Sequence, residues 1–189
     1  MAQHTIINGI DYGPLAPLVG TWCGDSGMDI APEPGGDEHN PYYETITFEA
    51  TGSVTNAESQ QLAILRYHQL VTRKSNDEVF HDQVGFWLWD AAGGTVTETF
   101  TIPRGVAVVA TGSAAPVAQG EEVVLSVAAD ADAGIAQSPF MQEQARTTGF
   151  THTLTVRGDK LTYQQTTLLD IYGRRGYAHS DENALSRVE

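Results

Sequence analysis

Along most of the chain apolar residues recur at every second position, and stretches with apolar residues at helical spacing are nearly absent. A period of two is the mark of strands with one buried face, so the pattern predicts an all-β protein. In 42–50, for example, Ile46, Phe48 and Ala50 fall on one face and Tyr43, Thr45, Thr47 and Glu49 on the other. The same test gives strands near 19–30, 61–73, 81–90, 94–102, 105–112, 120–129, 150–157, 160–171 and 183–188, roughly ten in all. Turn residues separate them at Gly35-Gly36, Gly93-Gly94, Pro103-Arg104-Gly105 and Gly158-Asp159. Two segments read as helical: Pro14 to Val19, long enough only for a turn or a plug, and 139–146, with Ser138 as N-cap and Pro139 at the first helical position. The weakly patterned 128–138 reads as a long loop.

Strands of this number, joined by short turns, are best satisfied by an antiparallel meander that closes on itself, because an open sheet of that size exposes two edges. The expected architecture is a calycin-like closed barrel spanning 1–189 as one domain. A barrel of about ten strands is wider than side chains fill from both walls, so a cavity is expected inside it.

Composition narrows the partners. With 189 residues, 41% hydrophobic and 18% charged, one domain with a real core is expected. Lys+Arg 10 against Asp+Glu 24 gives a formal charge of −14, which repels nucleic acid and anionic membrane surfaces. Cys23 is the sole cysteine, so neither an internal disulfide nor a thiolate metal cluster can form, and a reducing compartment fits. The start lacks a basic and apolar leader, and no stretch approaches the roughly 20 apolar residues of a membrane span, so a cytoplasmic protein is expected.

Gly20-Thr21-Trp22-Cys23-Gly24 forms a G-x-W-x-G start, in which a Trp closes the barrel base and glycines let the first strand bend. Lipocalins and fatty-acid-binding proteins share it. A sharper stretch is Phe80-His81-Asp82-Gln83-Val84-Gly85-Phe86-Trp87, preceded by Tyr43-Glu44 and Leu65-x-Tyr67 and followed by Val96-Thr97-Glu98, Ile102-Pro103-Arg104-Gly105 and Leu161-Thr162-Tyr163. This series resembles the nitrobindin family of haem-binding barrels over most of the chain, with least agreement in 115–148 and at the C-terminus.

The resemblance implies haem b, in the ferric state, with His179 as the axial iron ligand and His81 on the opposite side. It further implies nitric oxide or a related small ligand at the open iron position, and isomerisation of peroxynitrite to nitrate. Strict alternation puts His81, Gln83, Gly85, Trp87 and Trp89 on one face, a small residue among flat aromatics that suits a planar ligand. His152 alternates with Phe150, Leu154 and Val156 and is the reserve ligand; His4, His39 and His68 share no such pattern. The run Ser180-Asp181-Glu182-Asn183 after His179 departs from the family's apolar last strand and reads as a turn, and Arg174 and Arg175 are candidate partners for haem propionates. No C-x-x-C, H-E-x-x-H or G-x-S-x-G arrangement occurs. A rival class needs no iron: a carrier of an apolar small molecule, which the same cavity would serve. Either function is compatible with a homodimer.

Overall fold

A computed structural model of the chain describes residues 5–114 and 120–188; His4 lies outside them. It opens with a hairpin of β1 (Ile6–Ile7) and β2 (Ile10–Asp11), turned by Asn8 and Gly9 at φ 50° and 82°. That positive-φ pair is what a two-residue hairpin turn demands, and Asn-Gly supplies it at least strain. A 3₁₀ helix follows at Gly13–Leu18, and then β3 (Gly20–Glu33), β4 (Gly36–Asn56), β5 (Gln60–Arg73), β6 (Val79–Asp90), β7 (Thr95–Ile102) and β8 (Val106–Ser113). The second half comprises β9 (Val123–Asp130), β10 (Ile135–Gln137), helix α1 (Pro139–Gln144), β11 (Ala145–Arg157), β12 (Lys160–Ile171) and β13 (Arg174–Arg187).

Consecutive antiparallel pairings run from β3 to β8; β9, β11, β12 and β13 continue the sheet, and β13 returns to β3. Ten strands thus close a barrel, with β10 as an eleventh strand laid beside β8. The seam between β8 and β9 rests on one pairing, Thr111 with Ala128. Gly112 is required there, since a Cβ on it would lie 1.9 Å from the Ser126 carbonyl oxygen.

Inside, side chains form three layers. At the base the 3₁₀ helix pushes Leu15 and Leu18 into the core against Trp22, all at 0% exposure, and Trp22 donates its indole N–H to the Leu18 carbonyl at 2.7 Å. Above lies a polar belt of Glu44, Gln69, Tyr163 and Asn183 on one side and Glu98, Tyr67 and His152 on the other, all buried. At the opposite end the barrel is open.

The all-β class, the closure, the basal plug and the Ser138-capped helix are as the pattern predicts; Ser138 Oγ accepts the Met141 N–H at 3.4 Å. Four expectations are corrected. The strand read as 42–50 runs from Gly36 to Asn56, and the last strand begins at Arg174 rather than 183. The run after His179, read as a turn, is regular strand paired with β12. Polar residues face inward there, so the strand continues while its hydrophobic alternation disappears. Within 128–138, read as a loop, Ile135–Gln137 pairs with β8. Among the described residues no helix is long and apolar enough to cross a membrane.

Candidate functional site

The same strands that are apolar at the base carry polar groups at the mouth. β3 runs from Trp22 to Asp29, β6 from Trp89 and Trp87 to Gln83 and His81, and β13 from Leu185 to Asp181 and His179. These mouth residues line a cavity of about 490 Å³, a size suited to a small organic ligand. Phe100, Ile102, Val106, Val108, Phe150 and Met141 give it an apolar wall, and Gln69, Gln83, Thr147 and Gln165 add polar groups to the lining.

His179 and His81 stand on β13 and β6, which are separated by β3, β4 and β5, so they face the cavity from different walls. His179 Nε2 meets Asp29 Oδ1 at 2.6 Å and lies 3.9 Å from Asp181 Oδ1. Asp29 Oδ2 in turn accepts from Asn40 at 2.9 Å, which fixes the carboxylate behind the imidazole. Burial alone would lower the His179 pKa, but the Asp29 hydrogen bond and the charges of Asp181 and Asp29 outweigh it and raise it. Asp29 is resisted by burial too, yet the His179 contact and the Asn40 amide carry its pKa down. Asp181, partly buried in the cavity wall and beside a second carboxylate, is pushed up to about 7, desolvation being the main cause. One donor atom from each of Asp29, His179 and Asp181 lies within 4.8 Å of the others, a set able to hold a metal.

His81 is oriented from below. Tyr67 donates to Glu98 at 2.7 Å, Gln83 donates its amide to the Tyr67 oxygen at 2.6 Å, and the Gln83 oxygen faces His81 Nε2 at 3.1 Å. Because the Gln83 nitrogen is committed to Tyr67, its oxygen must accept, and His81 Nε2 must donate. Burial first, and then the charges of Arg104 and His179, hold the His81 pKa below the usual imidazole range. His81 is therefore a neutral imidazole with its lone pair on Nδ1. His179, once neutral, has the same arrangement, with Nε2–H on Asp29 and the lone pair on Nδ1.

The other candidates lie elsewhere. Trp87 is 1% exposed beneath the cavity, packed against the His152 ring at 5.7 Å between centroids, and is not among the lining residues. Gly85 does not line the cavity either; a Cβ on it would come within 2.1 Å of the Thr99 carbonyl oxygen, so it serves the close approach of β6 and β7. His152, the reserve ligand, sits in the polar belt with Nδ1 on Glu98 at 2.8 Å and Nε2 buried without a hydrogen-bond partner. Arg174 is engaged away from the cavity, by Asp37 and the Glu33 and Gly36 carbonyls, each at 3.0 Å. Sequence reasoning missed Asp29, Asp181 and Arg73 at the mouth. The available signal was His179-x-Asp181-x-Asn183-x-Leu185, which keeps period two if polar residues are allowed inside.

A closed ten-stranded barrel with an open mouth and a cavity that two histidines face defines a barrel built to hold a ligand. Comparison with known proteins gives the narrower assignment: the chain belongs to the THAP4-like, heme-binding beta-barrel domain family, whose model matches residues 11–187. The fold is similar to that in the crystal structure of Rv2717c from M. tuberculosis, with a TM-score of 0.70 and 20% sequence identity over 93% of this chain and 95% of that one. No curated protein matches the sequence.

Proposed function

We propose that the cavity binds haem b through His179, with His81 on the opposite side and an open position for nitric oxide or a related small ligand. The observation that carries this reading is the pair of cavity imidazoles, each holding its Nε2–H on a wall partner and so keeping Nδ1 for a ligand. The donor set fits the group. A neutral imidazole is the commonest protein ligand of haem iron, and a carboxylate behind it fixes the tautomer and raises its basicity. Asp29 supplies that carboxylate, and Phe100, Phe150, Val106 and Val108 supply an apolar wall.

Bound haem would supply a ferric centre that takes up nitric oxide and rearranges peroxynitrite to nitrate. The protein's own part is to hold the axial imidazole, to keep bulk water from the apolar wall, and to present the neutral His81 lone pair rather than an N–H. His81 thus acts on a bound ligand as an acceptor or base, since donation would break its bond to Gln83. The test is to load the purified protein with haemin and add nitric oxide, then peroxynitrite. A shifted Soret band and accelerated peroxynitrite decay with nitrate as product are expected; a Soret band indifferent to nitric oxide contradicts the reading.

A second reading rests on the same apolar wall, which suits a fatty acid or other apolar metabolite without iron. Tight binding of oleate by a protein that leaves haemin unchanged would favour it.

A further inference from the structure

The mouth carries a cationic lip whose donors are only partly paired within the protein. Arg73 ends β5, Phe80 stands at the start of β6, and Arg104 sits in the turn between β7 and β8, so three adjacent strands bring them together at the cavity. The Arg73 guanidinium lies 4.9 Å over the Phe80 ring and 3.6 Å from Glu78, yet its Nε is buried with no hydrogen-bond partner. Arg104 makes one long contact, 3.5 Å from Nη2 to the Phe80 carbonyl. Of the carboxylates that line the cavity, Asp29 and Asp181 converge on His179 and Glu38 accepts from Asn40 at 2.9 Å, and neither arginine forms an ion pair with them or with Glu33. A buried guanidinium N–H without an acceptor is costly, and a charged ligand group offers the compensation that the protein does not.

The geometry points to Arg73 and Arg104 as the anchor for a carboxylate of the cavity ligand. A guanidinium fork matches a carboxylate in plane and charge, and the Phe80 ring packs against the Arg73 fork, whose Nε is left without an acceptor. In a chain of net charge −14, such a lip also sets the direction in which an anionic ligand enters: acid group at the β5–β7 rim, apolar body along Phe100 and Phe150. The inference rests on the cavity being a ligand site, but not on the ligand being haem. The carboxylate could be a haem propionate or the head of a fatty acid.

The experiment compares each acid with its ester. Haemin and haemin dimethyl ester are titrated by absorbance, and oleate and methyl oleate by displacement of a fluorescent probe, against the full chain and an Arg73→Gln/Arg104→Gln variant. Coincident thermal melts establish that the variant folds. The expected result is that the wild type prefers the acid, and that the variant loses about tenfold in acid affinity per arginine while ester affinity stays put. If only oleate shows this preference and its loss, the anchor stands for a fatty acid and not for a propionate, and the haem reading itself fails only if the wild type does not bind haemin. If acid and ester bind the wild type equally, if the variant weakens both alike, or if the wild type binds neither acid, the anchor is overturned.

Discussion

The base and the mouth of this barrel are built from the same strands and do opposite things. At the base Leu15, Leu18, Trp22, Leu65, Leu161 and Leu185 are all but inaccessible, and the cross-section is filled with apolar atoms. Some residues further along those strands, Asp29, His81, Asp181 and His179 surround empty volume and compete for protons. Packed apolar layers supply stability, whereas buried charge and unfilled space cost it. The difference therefore separates the part of the barrel that holds the fold from the part free to bind, with the belt of Glu98 and Glu44 between them.

The comparison breaks most visibly at the base. Leu18→Ala is expected to cost about 3 kcal/mol and to lower Tm by about 10 °C, read by urea and thermal unfolding, while haemin affinity stays unchanged. A loss of ligand binding at full stability would show that base and mouth are not separable. Glu98→Gln probes the belt. It replaces one of the two acceptor oxygens, Oε1 facing Tyr67 and Oε2 facing His152, with a donor, so a loss of about 2 kcal/mol is expected. The ¹⁵N signals of His81 should move from a single Nε2–H tautomer toward a mixture, because the chain through Tyr67 and Gln83 no longer has a fixed direction. Unchanged His81 signals would show that Gln83 alone holds the ring.

At the mouth the effect depends on pH. The His179 pKa is raised in the folded state, so its contribution is fully present below the usual imidazole value of about 6.5 and is lost as pH rises through the raised value. The lowered Asp29 pKa works in the other direction, with stability present above about 3.9 and lost as pH falls through its folded value. Asp29→Asn should therefore lower Tm by about 3 °C at pH 6 and by less at pH 9. Equal losses at both would mean that Asp29 packs rather than pairs. The smallest effect belongs to Arg174→Ala. It should speed amide exchange around Gly36, where the guanidinium ties the β3–β4 hairpin, and leave ligand binding untouched.

How far each region could be read from sequence follows the same division. The base was legible because its inward residues are apolar: Gly20-Thr21-Trp22 and the Pro14 to Val19 plug declare themselves by type and period. The mouth was legible only in part. His81 kept its place because β6 has no bulge between it and Trp89, whereas Ser180-Asp181-Glu182-Asn183 read as a turn although Asp181 and Asn183 point inward. Hydrophobic periodicity is silent where a strand lines a polar cavity. Asp29 was hidden for a further reason: its partner His179 is 150 residues away, and only barrel closure between β3 and β13 brings them together. Trp87 and Gly85 share the face of His81 as their parity required, but parity does not say how deep along the barrel a residue sits.

The central claim is that the mouth binds haem through His179. Its most direct test is a haemin titration followed at the Soret band, with His179→Ala and His152→Ala beside the wild type. One equivalent of haemin should give a saturable red shift in the wild type and in His152→Ala, and His179→Ala should lose at least about a hundredfold in affinity. A shift that survives in His179→Ala, or vanishes in His152→Ala with the fold intact, would place the iron ligand in the belt rather than at the mouth and contradict the account.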